Sequence, residues 1–149
     1  MIHTVQVKNP KAMGFLEFRE LIKRAFVVSP WKDIDVKSEI ISLLNNPRMG
    51  VFVTDEDHNL VGLSIVSLPT SRLDTCPQVI YLYNEGTLQA KDNLIKSTVD
   101  FIHKAGYNHF WAINYTGRSD AAWSKVMKPD EWDISPIGSI MEFRRNERD

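Results

Sequence analysis

Residues 78–106, QVIYLYNEGTLQAKDNLIKSTVDFIHKAG, carry the pattern in this chain best suited to holding an anion. Val79 to Tyr83 form an unbroken apolar and aromatic run, as in a strand covered on both faces. Gly86 and Thr87 then supply a turn and a helix N-cap. From Leu88 onward, Leu94, Ile95, Thr98, Ile102 and Ala105 recur at three- and four-residue spacing, and Gly106 stands where a helix end favours positive φ. A strand that feeds a helix N-terminus presents first-turn N–H groups with no intrahelical partner at the positive end of the helix dipole. Phosphate can therefore dock there on backbone alone. The turn also has charge of its own. Glu85 and Asp92 oppose an anion and Lys91 favours one, each by a fraction of the roughly 1 kcal/mol typical of exposed charges.

Other chemistries are poorly provided for. His3, His58, His103 and His109 fall on different elements without ligand spacing, and the one cysteine, Cys76, has no partner for a disulfide or a zinc site, so no metal is expected. No G-x-S-x-G elbow is present, which argues against hydrolase chemistry. Trp111, with Phe110 and Ile113 around it, reads as core, whereas Trp31, in the loop between the first two helices, and Trp123 and Trp132, in the C-terminal region, are harder to bury together and suit a protein interface.

The 149 residues, 43% hydrophobic, suffice for one core, and a single domain spanning 1–149 is expected, with 144–149 as a charged tail. A net charge of −1 provides no global field toward nucleic acid or an anionic membrane, and three arginines in the tail are too few to change that. No signal-like start and no apolar run of spanning length occur, so a cytoplasmic protein is the expectation.

The elements that position the 78–106 stretch can be read in order. Ile2 to Val7 alternates as a short strand, and Phe15, Leu16, Phe18, Leu21, Ile22, Ala25 and Phe26 mark an amphipathic helix that ends before Ser29-Pro30. Val36, Ile40, Ile41, Leu43 and Leu44 suggest a second helix, stopped by Asn45-Asn46-Pro47. Residues 50–54 and 60–68 flank a polar turn, Asp55 to Asn59, as a hairpin. After the strand and helix of the opening stretch come a strand at 109–114, a short helix at 119–127 and a last strand at 137–143. The order is β-α-α-β-β-β-α-β-α-β, a mixed α/β chain whose fourth and fifth strands should be parallel.

That order, with a helical hairpin after the first strand and the long helix directly after the fourth, resembles the GNAT superfamily of acyl-CoA-dependent N-acetyltransferases. The resemblance spans nearly the whole chain. It implies a six- or seven-stranded mixed sheet with helices on both faces. Acetyl-CoA would lie between splayed fourth and fifth strands, its pyrophosphate on the backbone from Asn84 through Ala90, which takes in Gly86, Thr87, Leu88 and Gln89, with Tyr83 alongside. It further implies that Asn114 contacts the pantetheine arm, that Trp31 helps wall the acceptor side, and that Glu85, or Tyr83, takes a proton from the acceptor amine.

The chain departs from the family where the cofactor binds. Its loop has one glycine where spaced glycines are usual, and the helix at 119–127 has no tyrosine to protonate a departing thiolate; Trp123 cannot serve. Two functions are therefore carried forward. The first is an N-acetyltransferase acting on a small-molecule or protein amine. The second is a catalytically degenerate module working through protein contacts or as a homo-oligomer. Its compact size and loop are similar to small bacteriophage-encoded relatives, some of them associated with virions.

Overall fold

Among the described residues, the elements with both ends defined follow one another as β1 (Ile2–Gln6), α1 (Phe15–Val27), β2 (Met49–Glu56), β3 (Asn59–Ser67), β4 (Gln78–Asn84), α2 (Leu88–Lys104) and β5 (Trp111–Ala112). The computed structural model describes residues 1–8, 15–27, 38, 42, 44–69 and 76–112. Ser38, Ser42 and Leu44, within the expected second helix, are helical, as is Asn45, the first residue of its expected stop. The expected elements at 119–127 and 137–143, the tail at 144–149 and the tryptophans Trp31, Trp123 and Trp132 lie outside the described residues.

The strands form one sheet in the order β1-β2-β3-β4-β5. The first four pair antiparallel, and β5 joins β4 in parallel through Gln78↔Trp111 and Val79↔Ala112, the arrangement expected of a strand–helix–strand crossover. The β2–β3 turn is tighter than the five-residue tip expected from sequence. Glu56 already pairs with Asn59, and only Asp57 (φ 52) and His58 (φ 71) make the bend. Positive φ at both central residues suits the right-handed twist of the hairpin, and Asp and His tolerate it better than branched residues do.

The two faces of the sheet are covered by different helices. On one side Phe18, Leu21, Ile22 and Ala25 of α1 pack with Val51, Val53, Leu63, Ile65 and Tyr81. On the other, Leu94 and Ile102 of α2 pack with Phe52, Val66 and Val79. The stripe on α1 is narrower than the sequence suggests. Leu16 is 69% exposed, because it lies two residues, about 200° around the helix, from Phe18. Along β4 the register slips by one residue, since Ile65 pairs with Tyr81 while Val66 pairs with Val79. Ile80 is thus an extra residue. It lets Val79 face α2 while Tyr81 faces α1, which strict alternation would forbid.

Two expectations need correction at the far edge. The strand expected at 109–114 begins at Trp111, and Trp111 is 43% exposed instead of core. It stands opposite Gln78, the first residue of β4, at the margin of the sheet.

Gly50 on β2 leaves no room for a side chain. A Cβ there would stand 2.7 Å from Cε1 of Phe101, whose ring meets Phe52 edge-on with centroids 5.3 Å apart. Gly50→Ala is expected to destabilise the fold by roughly 1–3 kcal/mol through overpacking. A matched urea titration should show a lower midpoint with unchanged slope, and pairing the change with Phe101→Leu should recover part of the loss.

Candidate functional site

The turn between β4 and α2 is held by its own hydrogen bonds and by others to β2 and β3. Asn84 closes it: its Nδ2 donates to the carbonyls of Gly86 (3.1 Å) and Thr87 (3.3 Å), and its Oδ1 accepts from the Gly86 N–H at 3.3 Å. The Glu85 N–H donates to the Val61 carbonyl at 2.8 Å. Thr87 is the N-cap, in extended conformation (φ −71°, ψ 168°), with its Oγ1 accepting from the Ala90 N–H at 3.2 Å. Ala90 is fully buried.

A side chain from the β2–β3 hairpin completes the turn. The Glu56 carboxylate accepts the Thr87 N–H at 3.1 Å and is also bonded by the Thr87 hydroxyl. The loop's single glycine serves this contact. A Cβ on Gly86 would stand 2.8 Å from Glu56 Oε1 and 2.7 Å from Val61 Cγ2. The backbone donors at 85, 86, 87 and 90 are therefore engaged. Leu88 and Gln89, both exposed, are the first-turn positions whose N–H groups have no acceptor among the described residues.

On the α1 side, Glu85 is held by two partners. Arg24 of α1 reaches it with Nη2 at 2.9 Å from Oε1 and with Nε at 3.0 and 3.2 Å from the two oxygens, while the Tyr83 hydroxyl donates to Oε2 at 2.6 Å. Arg24 Nη2 also meets the Leu60 carbonyl at 3.3 Å. Burial alone would raise the Glu85 pKa. The hydrogen bonds from Arg24 and Tyr83 and the charge of Arg24 outweigh it and hold the carboxyl below its ordinary value. Burial, the bond to Glu85 and the Glu85 charge push the Tyr83 phenol up to about 12. One residue pair along the strand, the buried Tyr81 hydroxyl donates to the Ala25 carbonyl in the last turn of α1.

Of the residues singled out in sequence, Tyr83, Asn84, Glu85, Gly86, Thr87, Leu88, Gln89 and Ala90 come together at one junction, and Asn114 lies outside the described residues. Their parts differ. Asn84, Gly86, Thr87 and Ala90 shape the turn, Leu88 and Gln89 offer donors, and Tyr83 and Glu85 form a charged cluster with Arg24. Sequence reasoning missed Arg24 and Glu56. Each meets the turn from 61 and 31 positions away, and neither distance leaves a local spacing signal. Among the described residues no cluster of three or more His, Cys, Asp or Glu could hold a metal ion, and no helix is long and apolar enough to cross a membrane.

No protein-family model and no curated protein sequence matches the chain. Solved structures do. An aminoglycoside acetyltransferase from an uncultured soil metagenomic sample, in complex with sisomicin, is 14% identical over 99% of this chain and 97% of its own, with a TM-score of 0.67. The aminoglycoside N-acetyltransferase AAC(6')-Iy in complex with CoA is 13% identical over 99% and 96%, with a TM-score of 0.68. A ribosomal-protein-alanine N-acetyltransferase from Brucella melitensis biovar Abortus 2308 is 14% identical over 98% and 100%, with a TM-score of 0.64. At these identities the likeness shows the fold, and the fold is that of the GNAT acetyltransferases.

The Tyr83–Glu85 bond has a readout of its own. With Tyr83 raised above the ordinary tyrosine value near 10, the folded state favours the neutral phenol. The stabilisation is complete below about pH 10 and is lost as pH rises toward 12. Spectrophotometric titration should find the Tyr83 phenol, identified by its loss in Tyr83→Phe, ionising late, and Glu85→Gln should bring that phenol down; an unchanged profile in the Glu85 variant would refute the coupling.

Proposed function

We propose that the protein is an N-acetyltransferase that moves an acetyl group from acetyl-CoA to an amine. The observation that carries this is the pair of first-turn N–H groups at Leu88 and Gln89, without acceptors among the described residues, where β4 runs into α2. Support comes from three neighbours of like fold that are acetyltransferases, one of them solved with CoA.

In this reading the Leu88 and Gln89 N–H groups meet the pyrophosphate, while Tyr83, Asn84, Gly86, Thr87 and Ala90 hold the turn that aims them. Asn114 contacts the pantetheine arm. The neutral amine attacks the thioester carbonyl, a C–N bond forms, the C–S bond breaks, and the thiolate leaves with a proton. Glu85 takes the proton that the acceptor ammonium must first lose. It is ionised at neutral pH, as a proton acceptor must be, but Arg24 and Tyr83 make it a weak one. Glu85→Gln should therefore lower kcat by about tenfold, short of the roughly hundredfold or more of a well-tuned general base. The acceptor is an amine; the neighbours solved with aminoglycosides make small polyamines the first to try.

A second reading rests on Glu56. Its carboxylate takes the Thr87 N–H and packs on the loop's one glycine, an internal use of the features a ligand would need. On that reading the protein keeps the fold and works through protein contacts.

Thermal melting with and without millimolar acetyl-CoA separates the two. Ligand at about 100 times its dissociation constant stabilises the native state by roughly 2.7 kcal/mol, which is several degrees for a domain of this size. A shift with acetyl-CoA and CoA is expected. No shift with either would sink the acetyltransferase reading.

A further inference from the structure

The turn that would receive an anion is flanked by two carboxylates, Glu56 on the Thr87 N–H and Glu85 at the end of β4, and the structure supplies Glu85 with a cation from another element. Glu85 lies three residues before the first unengaged donor, Leu88, so an unbalanced charge there would act on any phosphate at the helix start. Arg24 meets Glu85 through three N···O contacts of 2.9–3.2 Å, two from one guanidinium nitrogen and one from another, and the fork is fixed further by the Leu60 carbonyl. Tyr83 takes the remaining side of Oε2. Nothing in the helical pattern of α1 requires an arginine at position 24. The buried stripe consists of Phe18, Leu21, Ile22 and Ala25, and the Arg24 side chain remains 47% exposed.

We propose that Arg24 is a positioning residue for anion binding at the start of α2: it neutralises Glu85 so that the Leu88 and Gln89 N–H groups can receive the cofactor's pyrophosphate. The inference rests on the acetyl-CoA reading for its ligand. Arg24 acts through Glu85 and need not touch the cofactor. The role differs from that of a mechanical tether between α1 and β4, because either partner's removal breaks a tether, whereas only removal of the cation adds the unbalanced charge of Glu85 to that of Glu56 beside the donors.

The test is calorimetric titration of the full chain with CoA and, separately, with inorganic pyrophosphate, for the wild type, Arg24→Gln, Glu85→Gln and the double variant. R24Q should weaken both ligands by about three- to tenfold at low ionic strength, and the loss should shrink as salt is added. E85Q should bind both as well as the wild type or tighter, and the double variant should match E85Q. Equal weakening in R24Q and E85Q would identify a tether and overturn the proposal, as would an R24Q loss that persists in the double variant. Circular dichroism and melting of each variant guard against unfolding; should R24Q fail to fold, Arg24→Lys, which keeps the charge and loses the fork, is expected to retain most of the affinity, and a loss as large as that expected for R24Q would overturn the proposal. If the wild type binds pyrophosphate but not CoA, the acetyltransferase reading fails while the pyrophosphate titrations still decide the role of Arg24. If it binds neither, both fall.

Discussion

One extra residue in β4 decides which side of the sheet each half of that strand serves. Because Ile80 is inserted opposite the Ile65–Val66 step, Val79 packs over α2 while Tyr81 and, by alternation, Tyr83 and Glu85 turn toward α1. Were the strand regular, with Val79 still over α2, those three side chains would point to the α2 side. Two contacts of α1 with β4 depend on this slip. The Tyr81 hydroxyl reaches the Ala25 carbonyl, one of the last-turn acceptors that the helix itself leaves without a donor, and Glu85 reaches Arg24. A buried phenol without a partner would cost about 1–3 kcal/mol, so the first of these contacts holds the end of α1 in place as well as satisfying the tyrosine.

The α2 side is organised on a different principle. Small and hydroxyl-bearing residues line the sheet there, and the helix approaches closely over them. The Thr4 hydroxyl lies 2.8 Å from that of Thr54 and 2.6 Å from Asn93 Oδ1, and the buried Thr98 hydroxyl lies 2.9 Å from Ser64 Oγ. A Cβ on Gly62 would sit 3.1 Å from a methyl of Leu94. These contacts register α2 along the sheet, and with it the height at which its first turn stands above the end of β4. The site's geometry is thus set from both faces: α1 fixes the carboxylate, and the polar seam under α2 fixes the donors.

Much of this was legible in the sequence because it is local. The run from Val79 to Tyr83, the cap at Thr87, the 94–95–98–102 spacing and Gly106, whose φ is 95°, each state their structure within a turn or two of chain, and all hold. What was not legible is what depends on distant partners. Glu85 read as a free charge opposing an anion, since nothing near it in sequence marks Arg24 as its partner. Gly86 read only as part of a turn, since nothing marks Glu56 as its neighbour. Trp111 read as core because aromatic residues in a strand usually are, but burial depends on where β5 begins relative to β4, and a register of two residues is invisible to composition.

The internal bonding of the turn sets a limit on how it can bind. Spaced glycines bring many N–H groups to bear on a diphosphate because each peptide is free to point outward. Here the peptides at 85, 86 and 87 point inward, to Val61, Asn84 and Glu56, and the turn gains definition from every donor it withholds from a ligand. Two donors and the helix dipole remain. Such a start offers an anion fewer backbone contacts than a glycine-rich loop does, and more of its definition lies in the packing of Glu56 and Asn84 around Gly86.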